Sequence, residues 1–223
     1  MHAMQIVIGN ILSADELATV TAVLKQARFV DGRVTAGFAA RTVKHNLQAE
    51  GSDRSLETIR KLIAERILGH EVFRMAVRPK KLGQLLFSRY SKGMHYGPHV
   101  DDPLMEGMRT DVAFTLFLSE PASYAGGELT IDTTEGEESF KLAAGSLVAY
   151  PATSLHCVQR VRRGTRLAAV GWTRSFVREA ARRELLFDLD RARRAMFARD
   201  GKSPQFDLVS KSVANLLRMW AED

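Results

Sequence analysis

The sequence predicts an α+β fold with a β-sandwich or jelly-roll core between N-terminal helices and a C-terminal helical extension. Between residues 84 and 173, short runs rich in apolar residues are separated by glycine-containing turns, a spacing typical of antiparallel sandwiches. On both sides of this stretch, apolar residues recur at helical spacing. We therefore expect an α/β support region over residues 1–80, the β core over 81–177 and the helical extension over 178–223.

Composition suits one cytoplasmic domain with an appendage. The chain has 223 residues, of which 45% are hydrophobic and 26% charged, values typical of a soluble globular protein. Its apolar runs are too short to span a membrane, and its first residues lack an export pattern. The single cysteine, Cys157, excludes an intrachain disulfide and suits a reducing compartment.

The formal net charge is +6, with many arginines after residue 160. Such an excess is typical either of a nucleic-acid footprint or of a solvated helix face. Because Glu179, Glu184, Asp188 and Asp190 are interleaved with the arginines, we favour the solvated face. We expect neither a nucleic-acid partner nor a membrane partner.

Four elements are predicted before the core. Gln5 to Ile11 is expected to form a strand, and Ser13, followed by Glu16 in a capping-box spacing, begins a helix. Residues Asp31 to Gln48 are polar with glycines and predict a loop with a short strand. A second helix is expected from about Leu56 to Leu68, since its apolar residues share one face.

Seven strands are predicted in the core, and two helices follow it. The helices carry apolar residues from Leu185 to Met196 and from Phe206 to Trp220, with Gly201 to Pro204 between them. The predicted strands are Gln84–Tyr90, Arg109–Ser119, Glu128–Asp132, Glu137–Leu142, Ser146–Tyr150, Cys157–Val161 and Arg166–Thr173.

A His-x-Asp pair and a distant histidine form the candidate metal site. His99 and Asp101 are two residues apart, so on a strand their side chains would share one face. With His156 they supply two imidazoles and one carboxylate, the set found in non-haem Fe(II) oxygenases. The same ligands also suit Zn(II), Mn(II) or Ni(II). Alternatively, His99 caps a turn and His156 is an ordinary surface histidine.

Three further residues are candidates for the same site. Arg166 follows His156 by ten residues and could pair bidentately with the far carboxylate of a 2-oxo acid bound to the metal. Tyr90 could donate its hydroxyl to the same molecule, and Trp172 would share the strand face of Arg166. The alternatives are a surface or core arginine and two ordinary core aromatics.

The motifs resemble those of the iron- and 2-oxoglutarate-dependent prolyl 4-hydroxylase-like superfamily. The residues that carry the resemblance are Gly93 to Pro103, Gly126 to Leu129, His156, Arg166 and Gly171-Trp172. Chain length, basic charge and the helical tail resemble the bacterial PKHD-type hydroxylases.

The resemblance implies a double-stranded β-helix (jelly roll). It implies His99, Asp101 and His156 as iron ligands, Arg166 as the 2-oxoglutarate anchor and Tyr90 as a second cosubstrate contact. Animal oxygen-sensing members carry a tyrosine where Phe117 aligns, so the anchoring set must differ here.

The implied activity is hydroxylation of a peptidyl proline or a small molecule, with release of succinate and CO2. Fe(II), 2-oxoglutarate and O2 are the implied cofactors, with L-ascorbate as a candidate addition. Two alternatives stay open at this stage. One is an AlkB-like nucleic-acid demethylase, favoured by the spacing of Arg160 and Arg166; the other is a non-catalytic β-sandwich binding module.

The C-terminal helices are expected to pack on the sheet and to build a homo-oligomer interface. The apolar residues around Leu185 and Leu217 support this expectation.

Overall fold

The computed structural model describes residues 5–51 and 54–223. Two antiparallel sheets of eight and five strands face each other, and helices cover the outer side of the larger sheet. This arrangement confirms the α+β prediction with a jelly-roll core.

The helices and strands have the following bounds. The helices are α1 Ala14–Gln26, α2 Ala40–Val43, α3 Arg54–Gly69, α4 Glu71–Val77, α5 Ala180–Asp200 and α6 Pro204–Trp220. The strands are β1 Ile6–Ile8, β2 Phe29–Asp31, β3 Lys44–His45, β4 Leu47–Ala49, β5 Pro79–Leu82, β6 Leu86–Tyr90, β7 His95–His99, β8 Leu104–Met105, β9 Met108–Arg109, β10 Val112–Phe117, β11 Leu129–Thr133, β12 Gly136–Phe140, β13 Leu147–Pro151, β14 His156–Val158 and β15 Arg166–Ser175.

Sequence-distant strands are neighbours in both sheets. The larger sheet runs β1-β13-β10-β15-β6-β4-β2, with β5 also on β15, and the smaller runs β12-β11-β14-β7-β3. Strands β8 and β9 form a separate hairpin. The N-terminal strands therefore extend both sheets of the core.

Two apolar clusters follow the two faces of the larger sheet. One lies between the sheets and joins Phe117 and Val148 of the larger sheet to Leu129 and Ile131 of the smaller. The other packs the opposite face against the N-terminal helices, with Phe114 in edge contact with Phe73 of α4. Alternating residues of β10 therefore enter different clusters, and all six are buried, as expected for a strand covered on both sides.

The predicted N-terminal helices are confirmed. Ser13 caps α1 through a capping box, because its hydroxyl accepts from the Glu16 backbone N–H while the Glu16 carboxylate accepts from the Ser13 N–H. Helix α3 buries Ile59, Ile63 and Ile67 against the sheet.

Several predicted boundaries were wrong. The strand predicted from Gln5 to Ile11 is limited to β1, and the predicted strand Arg109–Ser119 is two strands, β9 and β10. The chain breaks there because Asp111 accepts from the Arg109 guanidinium and from the Ser175 backbone N–H. The loop predicted from Asp31 to Gln48 holds a 3-10 turn at Gly32–Thr35, helix α2 and strands β3 and β4.

The helical extension is fastened to the core by buried arginine contacts. Arg78, at the end of α4, forms a short ion pair with Asp190 of α5, whose side chain is 1% exposed. Arg183, also in α5, is buried and donates to the backbone carbonyls of Val177 and Arg178. Leu217 packs with Val213 in the cluster between α5 and α6.

We expect Asp190→Ala to destabilise the protein by about 3–5 kcal/mol, because it leaves the largely buried guanidinium of Arg78 without its carboxylate partner. Thermal unfolding monitored by circular dichroism would measure the loss. Asp188→Ala is the matched control, since Asp188 lies on the same helix and its side chain is 63% exposed. Equal melting temperatures for the two variants would contradict the prediction.

Among the described residues, no helix combines the length and apolar character needed to cross a membrane.

Candidate active site

Strands β7 and β14 are neighbours in the smaller sheet, and they bring two histidines together where β7 ends and β14 begins. His99 and His156 are register partners across these strands, and their ring centroids are 4.3 Å apart. The carboxylate of Asp101 lies 3.9 Å from His156 Nε2. One ligand atom from each residue of the triad lies within 4.8 Å of the other two, which is close enough to share one metal ion.

Backbone carbonyls set the tautomer of both imidazoles. The Nδ1–H of His99 donates to the Gly97 carbonyl at 2.9 Å, and that of His156 donates to the Ser154 carbonyl at 3.0 Å. Each Nε2 is therefore left as an electron-pair donor. Such an orienting bond on the second ring nitrogen is usual for metal-binding histidines.

Burial keeps His99 neutral. Its ring stacks on Tyr96, with centroids 3.5 Å apart and planes inclined by 16°. Burial, with a smaller contribution from His156, lowers the pKa of His99 to about 3. Near neutral pH the imidazole is therefore in the unprotonated form that a metal requires.

Asp101 lies beyond the end of β7, so the prediction that it shares a strand face with His99 was wrong. The strand ends at His99, because residues Val100 to Pro103 leave the smaller sheet and belong to no strand. Burial raises the pKa of Asp101, while His156 and the indole N–H of Trp172 act in the opposite direction. Within the described residues, Oδ2 of Asp101 has no hydrogen-bond partner. A bound cation would meet this unsatisfied oxygen and stabilise its charged form.

Arg166 lies at the start of β15 and lines a cavity together with the triad. Its side chain is 1% exposed, and none of its three guanidinium nitrogens has a hydrogen-bond partner among the described residues. The guanidinium lies 5.2 Å from the ring centroid of Tyr90 and 5.3 Å from that of Phe117. A buried cation surrounded mainly by aromatic side chains is costly unless a ligand supplies an anion.

Tyr90 and Phe117 lie beside the guanidinium of Arg166. Tyr90 is the register partner of Arg166 across β6 and β15. Burial raises the pKa of Tyr90, against the charge of Arg166 and the nearby amide of Asn46. Phe117 is buried and has no hydroxyl. Tyr124 also lies near the guanidinium. Burial raises the pKa of Tyr124, and the charge of Arg166 acts against that rise.

Gly127 fixes the path of the Arg166 side chain. Its φ is +71°, and a Cβ there would lie 3.1 Å from Cδ of Arg166 and 3.0 Å from Cγ2 of Val161. Any other residue would be strained by this left-handed backbone, and its Cβ would crowd both side chains. The position therefore requires glycine. The Gly126-Gly127 turn of the sequence thus shapes the arginine pocket.

We expect Gly127→Ala to lower the free energy of unfolding by about 1–2 kcal/mol. Since the resemblance implies that Arg166 anchors 2-oxoglutarate, we also expect weaker binding of that molecule, because the new methyl group would crowd Cδ of Arg166. Thermal unfolding and 2-oxoglutarate titration would measure the two effects. Gly201→Ala is the control: its φ is +68° and a Cβ there meets nothing within 4 Å. An unchanged affinity in Gly127→Ala would contradict the expectation.

The triad and Arg166 line one cavity of about 490 Å³. Trp172 also lines it, as expected from its place on the strand of Arg166. Sequence reasoning missed the polar wall formed by Thr35, Lys44, Asn46 and Gln48. These residues lie in the segment predicted as a loop, where no motif or periodicity distinguishes them.

The comparisons decide the family. The family model for the 2OG-Fe(II) oxygenase superfamily matches residues 85–174, and that for the PKHD-type hydroxylase C-terminal domain matches residues 181–222. A PKHD-type hydroxylase of Acaryochloris marina is 51% identical over 98% of this chain and 100% of its own length. The chain belongs to the PKHD-type hydroxylase family. A relative from Maricaulis maris is 53% identical over 89% of this chain and 90% of its own length.

Solved structures show the same fold for this PKHD-type hydroxylase. A prolyl-4-hydroxylase of Pseudomonas putida has a TM-score of 0.56 at 20% identity, covering 78% of this chain and 94% of its own. HygX from Streptomyces hygroscopicus, solved with nickel and 2-oxoglutarate, has a TM-score of 0.54 at 14% identity, covering 78% and 84%.

Family membership gives the reaction class. The PKHD-type hydroxylase is an Fe(II)- and 2-oxoglutarate-dependent oxidoreductase that uses O2 and hydroxylates a substrate not yet identified. The relatives named above are hydroxylases, which favours hydroxylation over the demethylase and the binding module that the sequence left open. Arg160, which favoured the demethylase, donates to the Gly93 carbonyl.

Proposed function

We propose that His99, Asp101 and His156 hold the Fe(II) and that Arg166 anchors 2-oxoglutarate through its far carboxylate. The observation that carries this proposal is the buried guanidinium of Arg166, which has no hydrogen-bond partner in the described part of the chain and lines the same cavity as the triad. Two imidazoles and one carboxylate cover one side of an octahedral ion and leave positions for other ligands. Bound Fe(II) and 2-oxoglutarate supply oxidative decarboxylation with O2, which releases succinate and CO2 and hydroxylates a C–H bond.

The chain contributes orientation and exclusion of water. Arg166 would receive the carboxylate in a pocket closed by Tyr90 and Phe117, where a charge-assisted pair is little weakened by solvent. We propose that the Tyr90 hydroxyl makes a second contact to 2-oxoglutarate. The carbonyls of Gly97 and Ser154 would keep both imidazoles aimed at the metal while substrate enters and leaves.

We propose that the reacting group of the substrate is about the size of one amino-acid residue and belongs either to a protein or to a small molecule. The cavity volume of about 490 Å³ is within the range of small-ligand sites. One structural neighbour, a prolyl hydroxylase from Trichoplax adhaerens, was solved with a peptide fragment, which supports the protein option.

Four finer points remain proposals. L-Ascorbate would act as the reductant that restores Fe(II), as the resemblance implies. The cytoplasmic location and the homo-oligomer stay predictions from the sequence. The regions 1–80, 81–177 and 178–223 are likewise proposed, and the two family-model matches lie within the second and third of them.

Anaerobic titration of the metal-free protein with Fe(II) and 2-oxoglutarate tests the proposed site. We expect a visible metal-to-ligand charge-transfer band that saturates with 2-oxoglutarate, and none with Zn(II), which is d10 and redox-inert. Absence of the band in protein with verified iron loading would contradict the proposal.

A further inference from the structure

We propose that the polar wall of the cavity binds a carboxylate group of the substrate, through Lys44 and Asn46. This inference rests on the proposed function, since it assigns a substrate class to the same cavity. Arg166 would hold the cosubstrate from β15, and Lys44 would hold the substrate from β3 in the facing sheet.

Lys44 is a buried ammonium with no counter-ion among the described residues. The residue is 6% exposed, and Nζ donates one hydrogen bond to Thr35 Oγ1 at 2.9 Å. No carboxylate of the described residues forms an ion pair with it within 4.0 Å; Asp101 and Asp31 act only at longer range, and burial lowers the pKa of Lys44 to about 8. An ammonium retains further donors after one hydrogen bond. A carboxylate ligand would therefore recover the cost of burying this charge.

Asn46 supplies a second, independent indication of a ligand. The residue is 2% exposed and lines the cavity. Neither amide atom makes a hydrogen bond of ordinary geometry with a described residue, although Tyr90 lies nearby. Buried amides are seldom left unsatisfied, so an orphaned one at a cavity wall indicates an absent partner.

One turn holds both side chains. Thr35, which accepts from Lys44, ends the 3-10 turn Gly32–Thr35, and its hydroxyl also donates to Gln48 Oε1 at 2.7 Å. The turn begins at Gly32, where a Cβ would lie 2.0 Å from Oδ1 of Asn46. The close packing of Gly32 therefore fixes the amide.

The wall is connected to the metal triad through stacked rings. Lys44 is the register partner of Tyr96, and Nζ lies 5.0 Å from the centroid of that ring. The Tyr96 ring also stacks on the imidazole of His99, with ring centroids 3.5 Å apart. A substrate held by its carboxylate at Lys44 would extend along this stack toward the metal.

The experiment uses the anaerobic Fe(II)·2-oxoglutarate complex of the full chain and follows its charge-transfer band. The probes are the free L-amino acids and the N-acetyl L-amino acids, each compared with its carboxamide. We expect at least one acid to bind about tenfold to a hundredfold more tightly than its amide, as charged hydrogen bonds give. Preference within the free series indicates a small-molecule substrate, and preference within the N-acetyl series alone indicates a peptide C-terminus.

The variants assign the preference to this wall. Lys44→Met should abolish the preference for acids over amides and leave 2-oxoglutarate affinity unchanged. Lys44→Arg should retain part of that preference. Asn46→Asp is isosteric and should also abolish the preference for acids, because the new carboxylate would become the counter-ion of Lys44. Lys81→Met should change the preference by less than about twofold, since Lys81 lines the same cavity but is exposed.

Each outcome has a definite meaning. Equal binding of acids and amides by the wild-type protein, or an acid preference that survives in both Lys44→Met and Asn46→Asp, overturns the proposal. A fall in 2-oxoglutarate affinity in Lys44→Met also overturns it, since Lys44 would then serve the cosubstrate. If the band never forms in the wild-type protein, the proposed function itself has failed.

Discussion

Replacing Arg166 with methionine should abolish cosubstrate binding and at the same time stabilise the metal-free protein. The variant would lose the proposed bidentate contact to the carboxylate, whose charge-assisted hydrogen bonds contribute about 1.5–3 kcal/mol each, so 2-oxoglutarate affinity should fall by about 100-fold or more. The wild-type guanidinium is 1% exposed and has no hydrogen-bond partner among the described residues. Removing such a charge in favour of an apolar side chain should raise the free energy of unfolding by about 1–3 kcal/mol.

The charge-transfer titration and thermal unfolding would measure these opposite effects. Arg166→Lys keeps the charge but lacks the planar fork, so its 2-oxoglutarate affinity should be intermediate. Arg160→Met is the control, because that arginine is exposed and contacts a backbone carbonyl. If Arg166→Met binds 2-oxoglutarate normally, or is less stable than the wild-type protein, the guanidinium has a structural role instead.

Replacing His156 with alanine should remove metal binding and activity together. The variant keeps two of the three proposed ligands, and the loss should exceed the tenfold to hundredfold cost of removing a residue that only orients a ligand. We therefore expect Fe(II) affinity and 2-oxoglutarate decarboxylation to fall by more than about 100-fold. Anaerobic metal titration and succinate release would measure the two losses.

His95→Ala is the matched control on the strand that carries His99. His95 lies in β7 and packs edge-on against His45, outside the triad. Normal iron binding by His156→Ala, or loss of the band in His95→Ala, would show that the ligand set has been misassigned.

Local patterns predicted the parts of the molecule that depend on neighbouring residues. The capping box at Ser13, the apolar face of α3 and the alternation around β15 were all read from short stretches and are present. Boundaries were less predictable where side chains from elsewhere interrupt a strand. At Asp111, for example, the carboxylate accepts from Arg109 and from the backbone of Ser175, and no local pattern shows the second contact.

By itself, the sequence determined the residue types of the proposed site, their order and the arginine that follows them, because the chemistry of a metal and a 2-oxo acid restricts which side chains can serve. Only the tertiary structure decided which atoms meet. The pairing of β7 with β14 places His156 opposite His99, and the 3-10 turn at Gly32–Thr35 positions Lys44 and Asn46 in the cavity wall. These contacts depend on burial and hydrogen bonding summed over segments far apart in the chain, which local residue patterns do not contain.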